Sequence, residues 1–322
     1  MANFQSFLNL RAILLSGMML LMNGCAPSDT SKQNGRLVDI GKGREMYLES
    51  QGTGSPTVVL VSGRSDRSDI WKTRADTAKP GLAVYPGVAK FTRVCIYDRP
   101  GTVTIIGDKI EPSRSTSVPE PTTPKDCVED LHALLTAAKV PGPYVLVGHS
   151  YGGLIVRLYA STYPCDVFGL VLIDTLTEFL YDSLTPAQQT MWLNLNSNYS
   201  PDLDRYTVQE RTDLLKSFEE MRSSPPLRPM PAIVLTSDQP YDFKALVAKG
   251  ILPPGTPLDF GAIVFQAHLD GQAQLAHLLH ARQITDTHAG HYINTEQPQL
   301  VIDAIREVVD KARADKSLKC IP

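Results

Sequence analysis

Charge of one sign is what this chain lacks first: 31 Lys and Arg stand against 34 Asp and Glu, a formal net charge of -3. Phosphate backbones are bound by clustered Lys and Arg, and no basic stripe is present, so nucleic acid is not an expected partner. Within the body of the chain no apolar run approaches the roughly 18 to 20 residues of a spanning helix, so any membrane link must come from an end. Cysteine is sparse, five in 322 residues, and no pair has the spacing of a zinc site. Repeats at solenoid periods and low-complexity tracts are also missing, which excludes repeat architectures. What remains, at 43% hydrophobic and 20% charged residues, is the composition of one large globular domain whose core is not limited by size.

The N-terminus supplies an end. After Arg11, residues 12–22 form an apolar stretch of about 11 residues, suited to the hydrophobic region of a signal peptide and too short to span a bilayer. It runs into Leu21-Met22-Asn23-Gly24-Cys25, which resembles the bacterial lipoprotein processing site, where a small residue precedes the cysteine that is lipidated. Residues 1–25 are therefore expected to be a signal, with Cys25 carrying the lipid and plain secretion as the alternative. Residues 26–34, rich in Ser, Asp, Asn and Pro, read as a tether, and 35–322 as the folded domain. The expected location is the cell envelope after export, with the membrane reached only through that anchor. Four cysteines then remain, Cys95, Cys127, Cys165 and Cys320; spacing does not choose among their three pairings, and buried free thiols stay open as well.

Segments 36–40 and 44–49, around Gly41-Lys42-Gly43, alternate in polarity and predict a β-hairpin. Beyond it come short continuous apolar runs at 58–61, 94–97, 144–147 and 170–173, as strands buried on both faces of a parallel sheet require; a fifth strand is expected at 232–235 and a sixth, with a weaker pattern, at 282–285. Helical periodicity fills the gaps, most plainly at 125–139, 154–163 and 298–312. The alternation predicts an α/β fold with a mainly parallel central sheet and helices on both faces. Segment 101–124, rich in Pro, Thr and Ser, reads as a surface excursion. Segment 176–228, with helical pieces near 187–195 and 208–221, reads as an inserted lid.

Gly148-His149-Ser150-Tyr151-Gly152-Gly153 lies between a predicted strand and a predicted helix. A turn this tight strains the serine backbone and presents the hydroxyl at the C-terminal edge of the sheet, near the positive end of the following helix. With Ser62-Gly63 after the strand 58–61, Tyr97-Asp98-Arg99-Pro100-Gly101, and Gly290-His291-Tyr292 ahead of Glu296-Gln297-Pro298, the chain resembles the α/β-hydrolase superfamily, in particular its bacterial serine esterase and lipase-like members. The resemblance covers nearly the whole mature chain and implies an eight-stranded, mainly parallel sheet carrying a Ser, acid, His triad in that order.

A serine hydroxyl needs a base to become a nucleophile. Of seven histidines, His149 lies inside the elbow and is expected to pack, and His132 sits on a helix away from the site. His268, His277 and His280 share one helical stretch and read as solvated or structural. His288 and His291 both follow the last strand; the family's base directly follows a glycine, which His291 does and His288 does not. Two positions compete for the acid: Asp174, closing the strand 170–173, and Asp238, after the strand 232–235. Asp242 stands third.

The resemblance implies an oxyanion hole made by the backbone amides of Arg64 and Tyr151. The loop 64–69 is unusually polar, with two arginines and two aspartates, and reads either as solvated or as a grip on a polar or anionic part of the substrate. Asp98 and Arg99 read as a structural pair beside the site. The expected activity is acyl transfer by a serine hydrolase, acting foremost on a small to medium carboxylic ester, with thioester, lactone or peptide hydrolysis as alternatives and no metal or organic cofactor required. Perhydrolysis would use the same triad. A non-catalytic envelope binding module is the reading from another class. Oligomeric state is not readable from the sequence.

Overall fold

The computed structural model describes residues 35–106, 109–196, 210–250 and 252–315. The expected signal and tether, Cys25, Cys320 and the 208–209 start of one expected lid helix lie outside these residues. The described residues form ten strands: β1 (Gly35–Gly41), β2 (Arg44–Gln51), β3 (Thr57–Val61), β4 (Val94–Tyr97), β5 (Val103–Ile106), β6 (Lys109–Pro112), β7 (Tyr144–His149), β8 (Val167–Ile173), β9 (Ala232–Leu235) and β10 (Arg282–Ile284). Eight form one sheet in the order β1-β2-β4-β3-β7-β8-β9-β10. Only the β1–β2 and β2–β4 pairings are antiparallel; the remainder of the sheet is parallel.

Strand alternation explains the layers, because successive side chains point to opposite faces. Val59, Val61, Leu146, Leu170 and Leu172 join one core cluster, while Val58, Leu60, Val145, Val171 and Ile173 join another. The first face is covered by α2 (Pro124–Ala137) and α3 (Gly152–Thr162), through residues such as Leu131 and Ile155. The second is covered by α1 (Val84–Val88) and α9 (Pro298–Ala314), through Val88, Ile305 and Val308. The start of α2 is fixed by its own residues: the Thr123 side chain accepts from the Asp126 amide, Asp126 answers to the Thr123 amide, and Pro124 occupies the first turn, where its missing N–H costs nothing.

The parallel strands all end on one side, and two long connections gather above that edge. Between β8 and β9 lie α4 (Glu178–Ser183), α5 (Pro186–Asn196) and α6 (Leu214–Ser223); between β9 and β10 lie α7 (Phe243–Ala248) and α8 (Phe260–Leu278). α6 begins at Leu214, later than the 208 expected from its periodicity. Asp213 caps it by accepting from the Lys216 amide, and Thr212 instead bridges to Thr122. The excursion 101–124 contains a small hairpin, β5–β6. Cys95 and Cys127 are buried free thiols, whereas Cys165 is disulfide-bonded. No described helix is long and apolar enough to cross a membrane.

Candidate active site

Ser150 stands at the β7–α3 turn with φ 52°, a left-handed conformation that a non-glycine residue keeps only when its surroundings impose it. The surroundings are specific. The Ser150 amide donates to Ile173 O at 3.1 Å, and its carbonyl accepts from the Leu176 amide at 3.0 Å and the Thr175 hydroxyl at 3.1 Å. These bonds tie the elbow to the end of β8. The glycines that follow are sterically required: a Cβ on Gly152 would stand 2.4 Å from Val61 O, and one on Gly153 would stand 1.5 Å from Thr175 Oγ1.

Asp174, the residue after β8, is also left-handed (φ 42°), and its amide is held by Leu235 O at 2.7 Å. Its carboxylate is 3% exposed and fully engaged. Oδ2 accepts from His291 Nδ1 at 2.6 Å, while Oδ1 accepts from His268 Nε2 at 2.7 Å and from the Ser237 amide at 2.8 Å. Burial works against this charge, but the two imidazoles outweigh it and hold the carboxyl well below the usual carboxylate range. An ionised carboxylate only accepts, so His291 carries its proton on Nδ1 and keeps the Nε2 lone pair for a proton from elsewhere.

His291 is fixed through its backbone. His149 Nε2 donates to the His291 carbonyl at 2.8 Å, and the Gly290 amide donates to Glu296 at 2.9 Å. His149 is neutral, since burial, aided by the neighbouring His291, lowers its pKa to about 3. Asp238 bonds to neither His268 nor His291: its carboxylate accepts the backbone amides of His288 at 2.8 Å and Ala289 at 3.0 Å, with the exposed His288 ring 3.7 Å away. Of the two acid candidates, the structure thus joins Asp174 to His291 and gives Asp238 the task of anchoring the loop that carries His291. Asp242 caps α7 by accepting from the Ala245 amide.

The loop after β3 closes over the elbow, a Cβ on Gly63 falling 3.3 Å from that of Ser150. Among the described residues neither the Arg64 nor the Tyr151 amide donates a hydrogen bond, which leaves both available to an oxyanion. Arg99 positions this loop from below. Its guanidinium donates to Ser62 O at 2.8 Å and Gly63 O at 2.6 Å and forms a two-point ion pair with Glu210, whose Oε2 also accepts the Ser65 amide at 2.6 Å. Asp98 is not the partner of Arg99, as the adjacent pair suggested; it is bound by Arg114 and Ser68.

Ser150, Asp174, His268 and His291 all line a cavity of about 520 Å³, whose walls come from both connections above the sheet. His268 is the residue whose place the sequence reading missed. It belongs to the inward stripe of α8 that also carries Val264, Ala267, Gly271 and Leu275, so its position on an apolar face was the available signal. His277 and His280 lie near each other at the far end of that helix, and His132 stacks on Tyr163 away from the site. Asp238, Asp286 and His288 could bring ligand atoms within 4.8 Å of one another, though both oxygens of Asp238 are already used by backbone amides.

A serine on a strained elbow, an imidazole bound to a buried carboxylate, and a mainly parallel eight-stranded sheet together define the α/β-hydrolase architecture. The Alpha/beta hydrolase family profile matches residues 58–304, and the chain belongs to that family. It is similar to a probable transporter, efuK, of Hormonema carpetanum (23% identity over 92% of this chain and 46% of that protein). It is also similar to an AB hydrolase superfamily protein of Gibberella zeae (22% identity over 86% of this chain and 94% of that one). Among solved structures, a thermophilic esterase from Thermogutta terrifontis superposes with a TM-score of 0.53 at 20% identity, covering 86% of this chain and 98% of the esterase. At that identity the likeness speaks to fold. The chain spans less than half the length of the first curated relatives it matches.

Proposed function

We propose that the protein is a serine hydrolase acting by acyl transfer on small to medium carboxylic esters, with Ser150 as nucleophile, His291 as general base and Asp174 as the acid that orients it. The observation that carries this reading is the 2.6 Å bond from His291 Nδ1 to Asp174, which leaves Nε2 to take a proton in the cavity that Ser150 lines. Ser150 Oγ attacks the ester carbonyl as its proton passes to His291 Nε2, and the oxyanion is met by the Arg64 and Tyr151 amides. Collapse of the tetrahedral species breaks the bond to the leaving alkoxide, which takes the proton from His291. Water then repeats the sequence on the acyl-enzyme, its proton going to His291 and on to Ser150 Oγ, releasing the acid.

The test is release of p-nitrophenol from acetate, butyrate and longer acyl esters by residues 35–322, beside labelling with a fluorophosphonate. Both are expected, and both should vanish in Ser150→Ala; turnover or labelling that survives the substitution would remove Ser150 from the mechanism. Export and lipidation at Cys25 belong to the same proposal, supported by the residues around that cysteine. Incorporation of labelled palmitate into the full chain, lost in Cys25→Ser, checks them.

A further inference from the structure

We propose that the Arg64 side chain is an anion-binding group of the cavity, so that the favoured substrates are esters bearing a carboxylate on an otherwise apolar chain; the inference rests on the serine hydrolase reading above and names its substrate class. Arg64 follows the oxyanion-loop glycine and lines the cavity. Its guanidinium makes one hydrogen bond, from Nη1 to Asn196 O at 2.9 Å, and no ion pair among the described residues. A guanidinium has five N–H donors, so most of its capacity is unused.

The carboxylates around it are spoken for. Glu210 is held by Arg99 and the Ser65 amide. Asp174 is held by two imidazoles and an amide. Asp69, further along the loop, pairs with Arg67 and Arg114. Asp66 shares the cavity wall, but burial, reinforced by Glu210 and opposed by Arg99, raises its pKa to about 8, so at neutral pH it is largely uncharged. Burial also works against the charge on Arg64. Among the described residues the carboxylate that acts on Arg64 is Glu210, from a distance and already shared with Arg99; a buried cation so placed gains from a ligand carboxylate, whose geometry a planar guanidinium fork matches best.

The rest of the wall sets the other half of the ligand. Leu180, Trp192, Phe243, Leu252, Phe260 and Val264 line the same space, and they favour a hydrocarbon segment between the scissile ester and the anionic end. A solvated loop, the alternative reading of 64–69, does not account for an arginine that lines the cavity of the candidate nucleophile and bonds to the last residue of α5.

The test compares mono-p-nitrophenyl adipate with p-nitrophenyl hexanoate, matched in length and differing by the terminal carboxylate. Hydrogen bonds to charged groups correspond to about 10- to 100-fold, so the wild-type protein should prefer the adipate in kcat/KM by about tenfold or more, chiefly through KM. In Arg64→Gln, which keeps the backbone amide, that ratio should collapse toward unity, and Arg64→Lys should restore part of it. Hexanoate turnover with no preference for the adipate, or a preference that Arg64→Gln leaves unmoved, overturns the anion site and leaves the hydrolase reading standing. A second measurement needs no turnover: binding of monomethyl adipate and of dimethyl adipate to the Ser150→Ala protein, followed by tryptophan fluorescence, since Trp192 lines the cavity. A preference for the monoanion that Arg64→Gln removes supports the site even if no ester is cleaved, and equal binding of the two overturns it.

Discussion

Two aspartates follow neighbouring strands at the same edge of the sheet, and they do different work. β8 and β9 pair in parallel with Ile173 opposite Leu235, so Asp174 and Asp238 start from nearly the same height. Asp174 is 3% exposed and Asp238 28%. The larger difference is in what each carboxylate faces. Asp174 accepts hydrogen bonds from two imidazoles and one amide, whereas Asp238 accepts them from two backbone amides of the loop that carries His291 and meets an imidazole only at 3.7 Å, that of the exposed His288. An imidazole can be oriented, and its proton placed, by the carboxylate it faces. A backbone amide can only be anchored. The donors around a carboxylate, more than its position after a strand, decide whether it serves a proton transfer or a scaffold.

The sharpest way to break this comparison is Asp174→Asn. The amide offers an N–H where His291 Nδ1–H needs an acceptor, favouring the wrong tautomer, and kcat against p-nitrophenyl butyrate should fall by about 10³- to 10⁴-fold. Retention of activity, with the loss moved to Asp238→Asn, would reverse the assignment. His268 gives the next largest effect. Burial opposes its charge, but Asp174 outweighs burial and raises its pKa above the ordinary 6.5. A raised histidine contributes stability that is fully present below the unfolded pKa and is lost as pH climbs through the folded one. His268→Gln should therefore lower Tm more at pH 6 than at pH 9, and lower kcat by about tenfold as Asp174 loses one of the groups fixing it. Equal Tm losses at the two pH values would mean that His268 is not charged in the folded protein.

The fold was legible because buried parallel strands leave continuous apolar runs, and segments such as 144–147 and 170–173 fall within β7 and β8. The elbow was legible because Gly152 and Gly153 are demanded by contacts under 3 Å. What joins Asp174 to His291 was not. Both aspartates occupy strand ends that the fold can use, and only the path of the loop after β10 decides which carboxylate the ring meets. The Arg99–Glu210 pair was hidden for a similar reason, its members being 111 residues apart. His268 left a faint trace, a polar ring on the apolar stripe of α8, but periodicity places a residue on a face without naming what that face covers.

Asp238 should give the smallest catalytic effect, and one of a different kind. Removing its carboxylate in Asp238→Ala frees two amides, of which His288 sits in an exposed residue and can turn to water, while Ala289 is completely buried. One unsatisfied buried donor costs about 1 to 3 kcal/mol. Tm should fall by several degrees while kcat drops less than tenfold, because the His291 to Asp174 bond does not pass through Asp238. Asp238→Asn keeps one acceptor oxygen and should lose about half as much stability. A variant that kept its Tm and lost activity a thousandfold would mean that Asp238 acts on the imidazole after all. Matched losses of Tm and activity across the alanine and asparagine variants would instead show that the loop holding His291 is scaffolded by this carboxylate alone, with little share for Glu296 or His149.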